Sequence, residues 1–148
     1  MVPNQTEQGV ESPSQRFVLP VRVYYEDTDA GGIVYHASYL RFMERARTDF
    51  LRHLGYERTR LMTEFQVQFV VNEITIKYLK PAFLDDMLDV TLSIKQPPGY
   101  ARAIFHQTVE RGGELIAAAV VSAVCVEVAS LKPASFPKPL REKMKGQM

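Results

Sequence analysis

The chain has 148 residues, of which 46% are hydrophobic and 24% are charged, and its formal net charge is +1. This is the size of one ordinary domain, and a charge so near zero excludes the strong single-sign field with which proteins attract nucleic acid or an anionic membrane surface. The single cysteine, Cys125, excludes an internal disulfide, and neither a signal peptide nor a long apolar run is recognisable, so we expect a cytoplasmic protein.

The first half of the chain predicts a tail, a strand, a loop and a long helix. Residues 1–16 are rich in Gln, Glu, Ser and Pro, which predicts a disordered tail. Residues 17–25 alternate as a strand does, and residues 26–36 form an acidic and then glycine-bearing loop. A helix is predicted over 38–54, because an apolar stripe recurs every three or four positions at Tyr39, Phe42, Met43, Ala46, Phe50 and Leu54.

The second half is rich in predicted strands, over residues 65–80, 88–94, 100–110 and 114–128. The alternation in the first of these changes phase near Asn72 and Glu73, which predicts a bulge. Gly112 and Gly113 predict a hairpin. We therefore expect an α+β fold in which four strands form an antiparallel sheet by successive hairpins, with the helix packed against it.

Residues 131–148 are predicted to be a basic, proline-containing tail. Five basic side chains stand there against the single acidic Glu142. Charge runs usually lie in water, and this is the first interpretation. The alternative is a weak electrostatic contact with an anionic partner, which could be the phosphate groups of a substrate, an acidic carrier protein or an anionic lipid.

The loop before the long helix contains the densest group of reactive side chains. Asp29 is followed by Ala30, Gly31 and Gly32, which allow another molecule to approach the backbone closely. The helix that starts after His36 leaves backbone N–H groups unpaired and presents the positive end of its dipole. A carbonyl between these donors and a carboxylate is arranged for acyl transfer to water. Because Asp and Gly also make ordinary turns, the residues alone indicate a candidate site and no particular reaction.

A longer motif adds specificity. The segment YYEDTDAGGIVYHASYLRFMERAR, residues 24–47, resembles the signature of the hotdog-fold 4-hydroxybenzoyl-CoA thioesterase family, and most closely its branch of acyl-CoA thioesterases associated with the Tol–Pal system. The similarity covers residues 18–130 and includes FVVNEITIKYLKPAFLDDMLDV, residues 69–90. It implies a hotdog thioesterase domain over 17–130, with a curved antiparallel sheet wrapped around one long helix. It also implies an acyl-CoA substrate, a homodimer or homotetramer with its site between subunits, and no metal or cofactor.

The resemblance also implies roles for individual residues. Asp29 matches the catalytic carboxylate, as nucleophile or general base, and the backbone N–H near His36 matches the group that polarises the thioester carbonyl. Tyr35 and the His36 side chain match positions that line the cleft. A bulge could also aim Glu73 into a cleft. The predicted catalytic residues are thus Asp29 and His36, and the predicted substrate-binding residues are Gly31, Gly32, Val34, Tyr35, Tyr39 and Glu73.

Two other functions stay open at this point. A hotdog dehydratase acting on a 3-hydroxyacyl thioester would need a histidine and a carboxylate placed together for proton transfer. Here Asp29 and His36 stand seven residues apart across a loop. The second alternative is a non-catalytic protein that binds acyl thioesters or an acyl carrier protein in the same cleft.

Overall fold

Six strands and three α-helices make up the part of the chain that the computed structural model describes, residues 10–11 and 15–148. The strands are β1 (Val10–Glu11), β2 (Phe17–Arg22), β3 (Val67–Tyr78), β4 (Met87–Ser93), β5 (Arg102–Arg111) and β6 (Glu114–Glu127). The helices are α1 (Ser38–His53), α2 (Arg58–Glu64) and α3 (Lys138–Lys145), with a 3₁₀ turn at Tyr25–Asp27. Within the predicted disordered tail, residues 1–9 and 12–14 lie outside the described residues, whereas β1 pairs with the start of β2.

All strand pairs are antiparallel, and the sheet has the order β1-β2-β4-β5-β6-β3. The predicted hairpins from β4 to β5 and from β5 to β6 are confirmed. The hairpin expected between β3 and β4 is wrong, because β3 pairs with β6 at the far edge of the sheet. The 14-residue β6 is apolar on both faces, which is typical of a central strand with a long neighbour on each side. Strand β4 pairs with β2 on the side that the expected hairpin with β3 would have occupied. The predicted bulge is confirmed by a register shift between Val71 and Glu73.

Helix α1 lies with its apolar stripe against β2, β4 and β5. Its residues Tyr39, Phe42, Met43, Ala46 and Phe50 are all buried, as the sequence pattern predicts. The Phe50 ring meets the rings of Phe17 and Phe105 edge-on, at centroid distances of 5.7 and 6.3 Å. The predicted α+β architecture, one long helix against an antiparallel sheet, is therefore confirmed.

The C-terminal end of α1 is closed by several contacts. Gly55 adopts a left-handed φ of 91° and donates its N–H to the carbonyl of Arg52 at 2.9 Å. The Nζ of Lys143 in α3 donates to the carbonyl of Leu54 at 3.0 Å. A cation at this position also meets the negative end of the helix dipole.

The segment after residue 131 corrects the interpretation of a tail in water. Phe136, Leu140 and Met144 are buried in the core, and the Phe136 ring packs edge-on against that of Phe69 at 5.3 Å. Leu140 and Met144 lie one turn apart on α3, a short stripe that the surrounding lysines and prolines obscure, and Phe136 lies just before that helix. The short helix α2 was not predicted from the sequence. In the described part of the chain, no helix combines the length and the apolar character needed to cross a membrane.

Candidate active site

An open cleft of about 400 Å³ lies between the loop that precedes α1 and the end of β3. Its lining residues are Asp29, Ile33, Val34, His36, Tyr39, Tyr78, Leu79, Lys80 and Pro81. Two other grooves flank α1, of about 580 Å³ against β2 and about 360 Å³ against β3. The larger groove has no predicted site residue among its lining side chains, so size alone does not identify the reactive cleft.

Asp27 supports the loop from within. It is only 4% exposed, and its Oδ2 accepts the N–H of Tyr24 at 2.8 Å. Its carbonyl accepts the N–H of Tyr35 at 2.8 Å and the hydroxyl of Ser38 at 3.0 Å. These bonds tie the start of the loop to the start of α1, and they end β2 at Arg22, earlier than the predicted strand.

Asp29 lies two residues further on and is exposed. Its Oδ1 accepts the N–H of Gly31 at 2.8 Å, which is the one hydrogen bond to this carboxylate among the described residues. A Cβ on Gly31 would lie 3.2 Å from that oxygen, and Gly32 adopts a left-handed φ of 85°. Small, permissive residues are therefore required beside the carboxylate. The carboxylate stays accessible to another molecule in the cleft.

The start of α1 borders the same cleft through His36. The backbone N–H groups of His36 and Ala37 have no acceptor among the described residues, whereas Ser38 donates its N–H to the carbonyl of Tyr35 at 2.8 Å. The His36 ring packs against that of Tyr35 in a tilted arrangement, with the ring centroids 4.5 Å apart and the planes at 51°. The Tyr78 hydroxyl donates to the His36 carbonyl at 2.9 Å. The exposed Asp29 carboxylate and the residue His36, whose backbone N–H is unpaired in the described part of the chain, thus border one cleft.

The opposite wall is the crossover segment, residues 79–86, which joins β3 to β4. Val34 donates its N–H to the carbonyl of Ala82 at 2.9 Å, and Ala82 donates its N–H to the Tyr39 hydroxyl at 3.3 Å. Burial raises the pKa of that hydroxyl. The crossover segment and the Asp29 loop are therefore joined directly by hydrogen bonds.

Arg111 in β5 fixes the other side of the crossover segment. Its guanidinium donates to the Pro81 carbonyl at 3.1 Å, to Asp86 at 2.8 Å and to Glu114 at 2.9 Å. Burial would raise the pKa of Asp86, but the hydrogen bonds from Arg111 and from the Phe83 N–H lower it overall. The same two carboxylates raise the pKa of Arg111 through their hydrogen bonds. An ionic network therefore holds the wall of the cleft.

The structure brings together only part of the predicted site. Asp29, Val34, His36 and Tyr39 line the cleft, and Gly31 and Gly32 form the turn beside Asp29; Tyr35 is 43% exposed next to His36, outside the lining residues. Glu73 is exposed at the bulge of β3 and does not line the cleft in a single copy of the chain.

Sequence reasoning missed the contribution of the crossover segment. Besides Ile33, the lining residues that it did not propose are Tyr78, Leu79, Lys80 and Pro81. The available signal was the run of aromatic, apolar and proline residues directly after a long strand, inside a segment that already resembled the family. Within the described residues, no group of three or more His, Cys, Asp or Glu side chains could hold a metal ion.

Comparison with known proteins gives consistent matches. The family model of the Thioesterase-like superfamily matches residues 23–144. The chain is 46% identical to the acyl-CoA thioesterase YbgC of Haemophilus influenzae, over 84% of this chain and 91% of the relative. It is 48% identical to the acyl-CoA thioester hydrolase YbgC of Escherichia coli O157:H7, over 82% and 90% respectively. A crystal structure of a probable thioesterase from Bartonella henselae aligns with a TM-score of 0.77 and 34% identity, covering 81% of this chain and 98% of that one.

Proposed function

The chain belongs to the Thioesterase-like superfamily, and from this premise we propose how its cleft hydrolyses an acyl-CoA. The hotdog fold and the family resemblance expected from residues 24–47 are confirmed by these matches. The protein is an enzyme, an acyl-CoA thioesterase, as its curated relatives are named. The choice of acyl group and the roles of individual residues are our proposals.

One observation carries the proposed mechanism: Asp29 lines the same cleft as His36, whose backbone N–H has no acceptor among the described residues. We place the thioester carbonyl oxygen against the N–H of His36, where the donor and the helix dipole stabilise the oxyanion that forms on attack. Asp29 lines the same cleft, which supports a role for its carboxylate in acting on the carbonyl carbon or on a water beside it.

The Asp29 carboxylate has two chemically balanced routes. As a nucleophile it bonds to the acyl carbon while the carbon–sulfur bond breaks, and water then hydrolyses the resulting anhydride. As a general base it takes a proton from water, whose oxygen attacks the acyl carbon directly. Both routes consume one water and release a carboxylic acid and the CoA thiol. The His36 imidazole is exposed beside the Tyr35 ring, and neither proposed route requires it to transfer a proton.

A second copy of the chain fits the open edge of β3. In the described part of the chain that strand pairs with β6 alone, and its residues Val71 and Tyr78 are 43% and 45% exposed. Unpaired strand edges with apolar side chains favour pairing with another copy. We propose a homodimer joined along β3, which would carry Glu73 to the interface; light scattering of the purified protein gives the mass that tests this.

The test of the function is thiol release from short, long and aromatic acyl-CoAs and from one acyl carrier protein thioester. We expect wild-type turnover on at least one substrate and a loss of about a hundredfold or more in Asp29→Asn, equivalent to about 2.7 kcal/mol of barrier. Asp49→Asn is the matched control, because Asp49 is a carboxylate near the other end of α1 that pairs with Arg52.

Each outcome decides between specific alternatives. Turnover that Asp29→Asn leaves unchanged would contradict the assignment of Asp29. Binding of acyl-CoA without any hydrolysis would indicate the non-catalytic binding protein. Conversion of a 3-hydroxyacyl-CoA to its enoyl product would indicate the dehydratase. Turnover of the carrier-protein thioester alone would move the substrate from CoA to the carrier.

A further inference from the structure

Tyr78, the last residue of β3, makes one contact that neither the fold nor the proposed reaction explains. Its hydroxyl donates a hydrogen bond of 2.9 Å to the backbone carbonyl of His36, 42 residues earlier in the chain. Its ring meets the rings of His36 and Tyr39 edge-on, at 6.2 and 5.6 Å. The strand at the edge of the sheet is thereby connected to the peptide at which α1 begins.

The position of this bond matters because of peptide geometry. The His36 carbonyl and the Ala37 N–H belong to one planar, trans peptide unit, so a bond at the oxygen fixes the direction of the N–H on the opposite side. A donor at the oxygen also polarises the unit and makes its N–H a stronger donor. Two N–H groups at the start of α1 have no acceptor among the described residues: that of Ala37 belongs to this peptide unit, and that of His36 lies on the residue whose carbonyl Tyr78 binds.

Within a single copy of the chain, the Tyr78 hydroxyl has no described role besides this hydrogen bond. The side chain is 45% exposed, and the His36 carbonyl is its hydrogen-bond partner among the described residues. Burial raises the pKa of this phenol, so it remains protonated and able to donate at neutral pH. The ring contacts would survive in phenylalanine, which separates the role of the hydroxyl from that of the ring.

We propose that Tyr78 is a positioning residue for thioester hydrolysis, whose hydroxyl anchors the backbone of His36 through its carbonyl so that the His36 N–H meets the developing oxyanion, and also polarises the adjacent N–H of Ala37. This inference rests on the proposed function, and it concerns a group that does not touch the substrate carbonyl itself. An oxyanion donor acts mainly in the transition state, so its misplacement lowers kcat and leaves KM nearly unchanged.

The first test compares wild type with Tyr78→Phe on the best acyl-CoA. We expect kcat to fall about fivefold to tenfold, with KM within about twofold and an unchanged melting temperature. Tyr100→Phe is the matched control, because that ring is 69% exposed and its hydroxyl bonds no described residue. A wild-type kcat in Tyr78→Phe, a change in KM alone, or an equal loss in Tyr100→Phe would overturn the inference.

The second test does not depend on activity. Loss of the hydrogen bond should move the ¹³C resonance of the His36 carbonyl and the ¹H resonance of the Ala37 amide upfield in Tyr78→Phe, and leave both in place in Tyr100→Phe. Unchanged resonances would overturn the inference whatever the kinetics show. If wild type hydrolyses no acyl thioester, the proposed function fails, while the resonances still report whether Tyr78 polarises the peptide.

Discussion

The two ends of helix α1 are built in opposite ways. At the C-terminal end, Gly55 and Lys143 satisfy the backbone carbonyls, and helix α3 packs beside them. At the N-terminal end, the N–H groups of His36 and Ala37 have no acceptor within the described chain, and His36 lines the cleft with Asp29. The C-terminal end of α1 therefore contributes to stability, and its N-terminal end contributes to the proposed reaction. Substitutions at the closed end should cost stability, and substitutions at the open end should cost activity.

The largest expected effect is at the closed end, in Leu140→Ala. Leu140 is fully buried in α3, and truncating such a side chain typically costs about 2–5 kcal/mol of unfolding free energy. The kcat of the folded protein should stay at the wild-type value. Urea unfolding at fixed protein concentration measures the loss, with the exposed Lys138→Ala as control. A fall in kcat at a temperature where the variant is folded would break the separation between the two ends.

The next effect is at the open end, in Gly31→Ala. The added methyl group would lie 3.2 Å from Asp29 Oδ1, a tight contact that requires the carboxylate to shift by a few tenths of an ångström. We expect a loss of about tenfold in kcat/KM, or about 1.4 kcal/mol of barrier, with the melting temperature nearly unchanged. Gly99→Ala is the control, since its Cβ would meet its nearest atom at 3.8 Å. Wild-type activity in Gly31→Ala would show that the position of the carboxylate is not critical.

Lys143→Met tests the comparison between the two ends of α1, because it removes one positive charge from the C-terminal end. The variant loses the hydrogen bond to the Leu54 carbonyl but keeps the apolar stem, and we expect a cost of about 1 kcal/mol. Lys145→Met removes only an exposed pairing with Glu142 and should change stability less. Equal unfolding midpoints for the two variants would show that the end of α1 does not need this cation.

The smallest effect tests the wall of the cleft, in Asp86→Asn. The folded-state pKa of Asp86 is lowered, so its pairing with Arg111 stabilises the fold above the ordinary carboxyl pKa and is lost as pH falls through the lowered value. We expect the variant to be less stable than wild type by up to about 1 kcal/mol at neutral pH, and equally stable in strong acid. Urea titrations across this range measure the difference, and a gap that stays constant with pH would exclude the ion pair as its cause.

The sequence predicted those features that depend on local periodicity. The apolar stripe of α1 fixed the helix to within one residue, since the structure has Ser38–His53 where residues 38–54 were expected. The phase change near Asn72 located the bulge, and the run from Asp29 to His36 located the loop that borders the cleft. Each of these signals is contained in a few neighbouring residues.

The rest depends on partners that are distant in the chain. Strand β3 pairs with β6 because β6 is a central strand that has a neighbour on each side. A prediction based on hairpins considers only strands that are consecutive in the chain, so it does not find this pairing. Tyr78 joins the cleft because its strand ends beside α1, and no short pattern reports that. Leu140 and Met144 recur four residues apart, but only contact with the core distinguishes them from a tail in water.

The position of β3 at the far edge of the sheet also has a consequence for the order of folding. Val67 pairs with Glu127 and Tyr78 with Ala117, so β3 has to wait for its partner until the chain has been synthesised to the end of β6. Long-range pairings of this kind form slowly, after the local hairpins β4–β5 and β5–β6. Since Tyr78 and the crossover segment supply one wall of the cleft, we expect that wall to be completed only after β6 has paired with β3.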